Sequence, residues 1–552
     1  MRALRLLALA LGVQAIRRKR DVDADRTDLQ YEAHYFKQKI NHFPENKLPF
    51  ANETFTQRYY FDSSYYKPGG PVYLYISGET SGPSRFSNLQ TGIIQILMQA
   101  TNGLGVILEN RYYGESYPFN TSTTDQLAFL STAQTIADNS YFAQNAVFPG
   151  VDQDLTAPGT PWILYGGSLA GAQTAFSIKQ YGDVLYGGIA SSAPIHVVVG
   201  YPEWYEPIQK YAPQDCVARI NNIIDKFDAL VAKNQTAAIK KFKALFGLET
   251  LTDHRDFASA IVDPIGNPGS YFSNTWQELN WNSTYGSRDF YYFCGNITDI
   301  DSPPEIQEVD YLMGNFTAGE PWVGLGGYAH YIKTYTRHLC ESGEYNSHDC
   351  WGTQNETAWK DISNGSGRSY LYTSCTEQGA YIDAPKEGPS LLSRVVDTSY
   401  EQQWCKWAFP DGEYSKVPPQ PDVGAYNSFG DFNLTAPRLA FIDGDQDVWN
   451  GLCYHSPIAP PRNQSSGVEE LLITGAGHHW DSAGILDVQA EPQFIREAHL
   501  WEIRTVKKWL REFEDWKVEK KLEKRREKKE WNRGVSAGLR DGWAKRAVRL
   551  SY

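Results

Sequence analysis

Short apolar runs alternate with helical patterns in the N-terminal part of the chain. Between the runs, residues 124–143 and 169–182 repeat apolar side chains at the spacing of a helix. Strands that alternate with helices predict a mainly parallel sheet covered by helices on both faces. The runs that predict the strands end in glycine or proline, and they are 71–77, 105–114, 162–168 and 187–194.

The pattern changes after residue 194. Residues 195–435 contain long helical stretches and six of the seven cysteines. Strand patterns return at 438–449 and 469–480, and residues 492–513 carry the apolar stripe of an amphipathic helix. The sheet-forming part of the sequence is therefore interrupted by a long insertion.

A chain of 552 residues is too long for one ordinary hydrophobic core. We predict an α/β domain that is split in sequence into residues 35–194 and 436–513. A mainly helical, disulfide-bearing cap domain, residues 195–435, is inserted between the two parts. Residues 514–552 form a basic, charged tail, for which a solvated or disordered state is favoured over contact with a surface or partner.

The first residues have the pattern of a secretion signal. Two arginines precede a short apolar run, and small residues follow at the spacing of a cleavage site. The run is too short to cross a bilayer. The basic sequence IRRKR comes next and resembles a propeptide processing site. We predict a signal peptide at 1–15, a propeptide or linker at 16–34, and no integral membrane segment after signal removal.

Sequons and cysteines also favour secretion. Ten Asn-x-Ser/Thr sequons occur without proline in the middle. Seven cysteines, none in CxxC spacing, favour disulfides over zinc or thioredoxin-type chemistry, and Cys453 is our candidate for the unpaired one. Secretion is the prediction, with delivery to a vacuole or lysosome as the alternative. The candidate glycosylation sites are Asn52, Asn120, Asn234, Asn282, Asn296, Asn315, Asn355, Asn364, Asn433 and Asn463.

The charge balance narrows the choice of partner. The formal net charge of -13 at pH 7 argues against nucleic acid, because phosphate binding requires a basic surface. An acidic, solvated surface is the simplest interpretation of this balance. It also suits solubility in a mildly acidic compartment.

The sequence WILYGGSLAGAQTAF, residues 162–176, joins a strand to a helix through a turn of small residues. A nucleophile elbow, G-x-S-x-G, requires small neighbours because its serine adopts a strained backbone. Gly166 fills the first position, and Ala170 stands where the second glycine is usual. Ser168 is thus a candidate nucleophile, although this pattern alone is more often structural.

Acidic and imidazole side chains follow the two late strands. Asp443, Asp445 and Asp447 come after the first, and His478 and His479 after the second. The order Ser, Asp, His and the position at strand ends are those of α/β-hydrolases. The acidic loop lacks the register of a twelve-residue calcium loop, and the histidines have no evident third ligand. We predict no metal and no cofactor.

Segments in chain order resemble the secreted and lysosomal serine peptidases that include prolyl carboxypeptidase, dipeptidyl peptidase II and thymus-specific serine peptidase. The resemblance implies an α/β-hydrolase fold in which Ser168 is the nucleophile, His478 the general base and Asp447 the residue that orients it. The segments are 35–43, 54–62, 69–79, 108–119, 165–176, 191–194, 374–381, 441–449, 478–481 and 501–513.

The family also implies the remaining parts of a site. Backbone N–H groups of Leu169 and of the loop at Gly78 and Glu79 would form the oxyanion hole. Trp449 and Trp480, beside the acid and the base, would bind the substrate's proline ring.

By the same resemblance, Cys375 and Cys405 pair. Two further pairings, Cys340 with Cys350 and Cys216 with Cys294, are predicted more weakly, since spacing does not fix connectivity.

The resemblance predicts a serine exopeptidase that cleaves peptides next to proline, in a carboxypeptidase (Pro-Xaa) or dipeptidyl-peptidase mode. Its partners would be proline-containing peptides, and the protein would be a monomer or homodimer. Two alternatives stay open: an esterase or lipase on the same triad, and an inactive binding glycoprotein. The second is motivated by Leu169 and Ala170, which replace the tyrosine and glycine that are usual in the family.

Overall fold

The computed structural model describes residues 28–536 apart from several short segments. The predicted signal peptide, most of the 16–34 linker, the sequon at Asn463 and the tail beyond residue 536 lie outside the described residues. The segments left out are 47, 51, 267–275, 285, 337–339, 341–347 and 463–467.

Eight strands within the described residues form one sheet in the order β1-β2-β4-β3-β5-β6-β7-β8. β2 pairs antiparallel with β1 and β4, and the remaining neighbours pair in parallel. The mainly parallel sheet is confirmed, with an antiparallel edge that the apolar pattern did not predict. The strands are β1 His34–Lys39, β2 Thr54–Asp62, β3 Val72–Ile76, β4 Leu104–Leu108, β5 Trp162–Gly167, β6 Gly187–Ser191, β7 Leu439–Gly444 and β8 Glu469–Ile473.

The central strands are covered on both faces. Every residue of β3, β4, β6 and β7 is buried, which explains why these strands are continuous apolar runs. Phe142 and Phe176 pack from helices on one face, and Leu97 and Trp509 from helices on the other. The helices of this domain are Phe86–Gln90, Ile93–Thr101, Thr124–Leu127, Thr132–Asn145, Leu169–Tyr181 and Gln493–Arg511.

The segment 124–143 forms two helices and not one. The hydroxyl of Thr123 accepts a hydrogen bond from the N–H of Gln126 and caps the first helix. The hydroxyl of Ser131 accepts one from the N–H of Gln134 and caps the second. Two N-caps within eight residues break a pattern whose apolar spacing is continuous.

The chain between β6 and β7 forms the cap. Its own core gathers aromatic side chains such as Phe227, Phe242 and Trp322. The α/β-hydrolase fold with a helical inserted cap is confirmed. The cap helices are Glu206–Tyr211, Gln214–Ala232, Thr236–Leu245, His254–Val262, Asp289–Thr298, Pro304–Gln307, Leu325–Tyr335, His348–Trp351, Glu356–Trp359, Ser366–Thr373, Thr398–Ala408 and Val423–Asn427.

Three disulfides lie in the cap. The structure joins Cys216 to Cys294, Cys340 to Cys350 and Cys375 to Cys405, the pairs that we expected. Cys453, beyond the cap, is buried and is not part of a disulfide.

A long charged helix, Phe513–Ser536, follows the α/β domain. Across the described ranges, no helix combines the length and apolar character required to cross a bilayer. Of the nine sequon asparagines that the structure describes, Asn282 and Asn296 are half-buried and the other seven are exposed. None of these nine is therefore hidden in a core.

Candidate active site

Ser168 lies at a sharp turn between strand and helix. β5 ends at Gly167, and the next helix begins at Leu169. The backbone of Ser168 has φ 62° and ψ -134°, in the left-handed half of φ space that a residue with a side chain rarely adopts. Its N–H donates to the carbonyl of Ser191 on β6, at 2.9 Å. This strained turn presents the serine side chain at the carboxyl edge of the sheet.

The close packing of the turn leaves no room for a side chain at two of its glycines. A Cβ on Gly166 would lie 2.1 Å from the carbonyl oxygen of Ala170, and one on Gly171 would lie 2.7 Å from that of Ser191. The methyl group of Ala170 itself is 3.6 Å from the Cβ position of Gly78, an ordinary contact. Alanine therefore fits at the position where an elbow usually has its second glycine.

Asp447 and His478 form a buried pair at the same edge. His478 Nδ1 lies 2.9 Å from each carboxylate oxygen of Asp447. The pair fixes the tautomer, since a carboxylate only accepts: Nδ1 carries the proton and Nε2 is left as the acceptor. His478 Nε2 is buried and makes no hydrogen bond within the described residues. The N–H of Trp449 also donates to Asp447, at 2.9 Å.

The other candidates around the pair shape its loops. Asp443 accepts from the N–H of His455 at 3.0 Å and lies 2.7 Å from its Nδ1. Asp445 accepts from the N–H of Gly475 at 2.7 Å. His479 has φ 41°, and its N–H donates to the hydroxyl of Ser192 at 2.8 Å, which ties the histidine loop to the end of β6.

Asp481 ties the loop that carries His478 and His479 to the strands of the sheet. The sequence had assigned no role to this residue. Its carboxylate accepts from the hydroxyl of Tyr165 on β5 at 2.5 Å and from that of Ser191 on β6 at 2.6 Å. Burial raises the pKa of Asp481, and both hydroxyls oppose that shift. Its place in the HHWD segment was the available signal.

Ser168 opens into a narrow pocket between the sheet edge and the cap. Trp449 lines this pocket, whereas Trp480 lines a neighbouring cavity with Gly477 and Gln446. Glu79 is the one charged side chain among the residues that line the Ser168 pocket. These residues are Glu79, Ser168, Leu169, Pro194, Val197, Tyr370, Gln378, Ala380, Tyr426, Trp449 and Leu452.

Tryptophans connect a cap segment, residues 276–281, to the loops that hold Asp447 and His478. In one direction, Trp276 Nε1 donates to the carbonyl of Gln446 at 3.0 Å. In the other, Trp480 Nε1 donates to the carbonyl of Leu279 at 2.5 Å. Two further indole bonds run from Trp281 to the carbonyl of Trp480 and from Trp449 to the side chain of Gln277, each at 3.0 Å.

Glu79 is half-buried beside the pocket. Burial raises the pKa of its carboxyl group, and the charge of Arg85, a hydrogen bond from its own N–H and the charge of His478 lower it.

An elbow serine after β5, an aspartate after β7 and a histidine after β8 define the class as a hydrolase of the α/β-hydrolase fold. The sequence model of one family, Serine carboxypeptidase S28, matches residues 38–496. The chain belongs to this family of serine peptidases.

Curated relatives agree with this assignment. The "Probable extracellular serine carboxypeptidase" of Arthroderma benhamiae is 36% identical over 90% of this chain and 69% of its own. "Serine protease vicPa" of Bipolaris victoriae is 26% identical over 83% of this chain and 86% of its own. The human "Thymus-specific serine protease" is 23% identical over 78% of each chain.

Proposed function

We propose that the protein is a secreted serine exopeptidase that hydrolyses peptide bonds next to proline. The main support is the buried Asp447–His478 pair, whose Nε2 makes no hydrogen bond within the described residues, together with a serine on a strained elbow after β5. Ser168 Oγ attacks the scissile carbonyl while His478 Nε2 takes its proton. The imidazolium then returns that proton to the leaving amine, and Asp447 holds the ring and stabilises its charge.

Two backbone N–H groups, one from the elbow and one from the loop after β3, stabilise the tetrahedral intermediate. Leu169 is the first helical residue, so its N–H has no acceptor within the helix and is available to the intermediate. The loop after β3, at Gly78 and Glu79, supplies the second donor, as is usual in this fold. Removing one such donor costs about 10² to 10³ in kcat.

The pocket and the relatives support the substrate class. Trp449, Tyr370 and Tyr426 give the Ser168 pocket an aromatic lining, which suits a compact apolar ring such as proline. Proteins similar to this chain are named serine carboxypeptidases and serine proteases. One of them is named extracellular, and the three disulfides suit an oxidising compartment.

Hydrolysis of two sets of peptides tests the proposal. Blocked Pro-Xaa dipeptides report carboxypeptidase action, and Xaa-Pro amides with a free amine report dipeptidyl-peptidase action. We expect Ser168→Ala to lower kcat by about 10⁶, whereas Ser84→Ala, an exposed serine outside the pocket, leaves it unchanged. Wild type that is as inert as Ser168→Ala on both sets and on a mixed peptide library contradicts a peptidase.

A further inference from the structure

Two charged side chains beside the elbow have no part in the acid–base chemistry proposed above. Glu79 lines the Ser168 pocket. Arg85 lies next to the same loop, with a terminal nitrogen 3.8 Å from the Cβ position of Gly78. Its Nε donates to the carbonyl of Ser77 at 3.0 Å. Its terminal nitrogens make no hydrogen bond or ion pair to another described residue, so they are free to bind an anion.

Glu79 and Arg85 are close enough to interact electrostatically, yet they form no direct ion pair within the described residues. An arginine fork and a protonated carboxyl group both donate to a carboxylate. We propose that Glu79 and Arg85 bind the terminal carboxylate of the peptide substrate, which makes the enzyme a carboxypeptidase. This inference rests on the proposed function and specifies its mode.

The chemistry of the pair suits the leaving-group side of the substrate. Glu79 lines the same pocket as Ser168, and Arg85 carries a permanent positive charge beside the loop that precedes Glu79. In the proposed mechanism His478 protonates the leaving amine. In a carboxypeptidase that amine belongs to a free amino acid, whose carboxylate is only two bonds away. A cationic fork and a protonated carboxyl group beside the nucleophile therefore suit this terminal carboxylate, whereas the N-terminal ammonium of a dipeptidyl-peptidase substrate lies beyond the acyl side.

Binding through Glu79 depends on its protonation. With the proton, the carboxyl donates a hydrogen bond to the substrate carboxylate. Without it, the carboxylate repels the substrate. Because burial raises the pKa of Glu79, the favourable state extends to higher pH than for an exposed glutamate. The titratable or charged groups that interact with Glu79 are Arg85, His478, Tyr75, Tyr113, Tyr370 and Tyr426.

Three synthetic peptides separate the modes: acetyl-Ala-Pro-Phe with a free carboxylate, the same peptide as its C-terminal amide, and Ala-Pro-Phe amide with a free amine. The measured quantity is kcat/KM for cleavage after proline from pH 4 to 8. We expect wild type to prefer the free acid over the acetylated amide by about ten-fold or more at pH 4.5. This preference should decline as the pH rises and Glu79 loses its proton.

The two variants should differ in a way that a general loss of activity would not reproduce. Arg85→Gln should lower the acid-to-amide ratio at every pH, and Arg85→Lys should restore part of it. Glu79→Gln should make the ratio independent of pH, because an amide N–H donates throughout this range. Two exposed positions, Glu249→Gln and Arg504→Gln, are the matched controls and should keep the wild-type ratio and its pH profile.

Equal cleavage of acid and amide by wild type, or an unchanged ratio and pH profile in the Arg85→Gln and Glu79→Gln variants, would overturn this assignment. A preference for the free-amine peptide that Glu79→Gln abolishes would also overturn it and would assign the pair to an N-terminal ammonium. Absence of any cleavage that depends on Ser168 would instead contradict the proposed function itself. Thermal melting of each variant shows that the fold is retained.

Discussion

The indole nitrogen of Trp281 in the cap donates a hydrogen bond to the backbone carbonyl of Trp480, 3.0 Å away and two residues after His478. Trp480 returns a bond from its own indole to the carbonyl of Leu279. The cap is therefore fastened to the histidine loop itself. We therefore expect a substitution at this contact to lower kcat as well as the free energy of unfolding.

Trp281→Phe keeps an aromatic ring and removes the indole donor. We expect a loss of about 1 kcal/mol in the free energy of unfolding and a several-fold fall in kcat, because the loop that carries His478 loses a tie. Trp359→Phe is the matched control, since the indole of Trp359 donates to the carbonyl of Thr353 at 2.7 Å, within the cap. Equal effects of both variants on kcat would contradict a role for this contact at the site.

Asp447→Asn tests the orientation of the histidine. An amide can donate to Nδ1, which favours the wrong tautomer, so kcat should fall by about 10⁴ with the fold retained. Asp445→Asn changes a neighbouring turn carboxylate in the same way and should have a much smaller effect on kcat. Steady-state kinetics with a proline-containing peptide and circular dichroism provide the two readouts. Similar losses of kcat in both variants would remove Asp447 from the triad.

Asp481→Asn tests the anchor beneath the histidine loop. The hydroxyls of Tyr165 and Ser191 both donate to this carboxylate, and an amide can accept only on its oxygen. One buried hydroxyl then loses its acceptor, at a cost of about 1 to 3 kcal/mol in stability. We expect kcat to fall about ten-fold with KM little changed, because the loop shifts while the pocket stays. A loss of stability with normal kcat would restrict Asp481 to a structural role.

We expect the free energy of unfolding to fall as the pH rises, and we expect Glu502 to contribute to this fall. Both carboxylate oxygens of Glu502 are buried without a hydrogen-bond partner among the described residues. Burial, with the charges of Asp481 and Glu491, raises its pKa well above the ordinary 4.5. The folded state therefore keeps a proton that the unfolded state releases above about pH 4.5, so folding is favoured below that pH and loses this advantage above it.

Thermal melting from pH 4.5 to 7.5 measures this dependence. The Tm of wild type should decline over the range, and Glu502→Gln, which is neutral at every pH, should reduce the decline. The matched control is Glu497→Gln, an exposed glutamate on the same helix. An identical slope in all three proteins would show that Glu502 is ionised in the folded state.

The sequence alone allowed the candidate triad residues to be predicted at one edge of the sheet, because of a rule of parallel sheets. The carboxyl ends of parallel strands meet at one edge, so Ser168, Asp447 and His478 could be placed together from three strand ends. The strained turn at Ser168 was likewise indicated by Gly166. The antiparallel edge was not predicted, since β1 alternates exposed residues with half-buried or buried ones and so lacks an apolar run.

Contacts between segments that are far apart in the chain could not be predicted from the sequence. The bond from Trp276 to Gln446 spans 170 residues, and that from Tyr165 to Asp481 spans 316. No sequence periodicity relates such positions. Each hydrogen bond depends on how the cap packs against the sheet or on how a loop folds beneath the sheet edge. For the same reason Trp449 and Trp480, which are alike in sequence context, separate in the structure. Trp449 lines the Ser168 pocket and Trp480 lines a neighbouring cavity.

Covalent labelling of the serine tests the central claim most directly. The folded full-length protein is treated with a fluorophosphonate and digested, and the modified residue is located by mass spectrometry. We predict one adduct on Ser168, formed rapidly by the folded protein, lost after heat denaturation, and slowed in Asp447→Asn because the histidine base is misoriented. A folded protein that stays unlabelled at Ser168, or that is labelled at another serine, would contradict the assignment of Ser168 as the nucleophile.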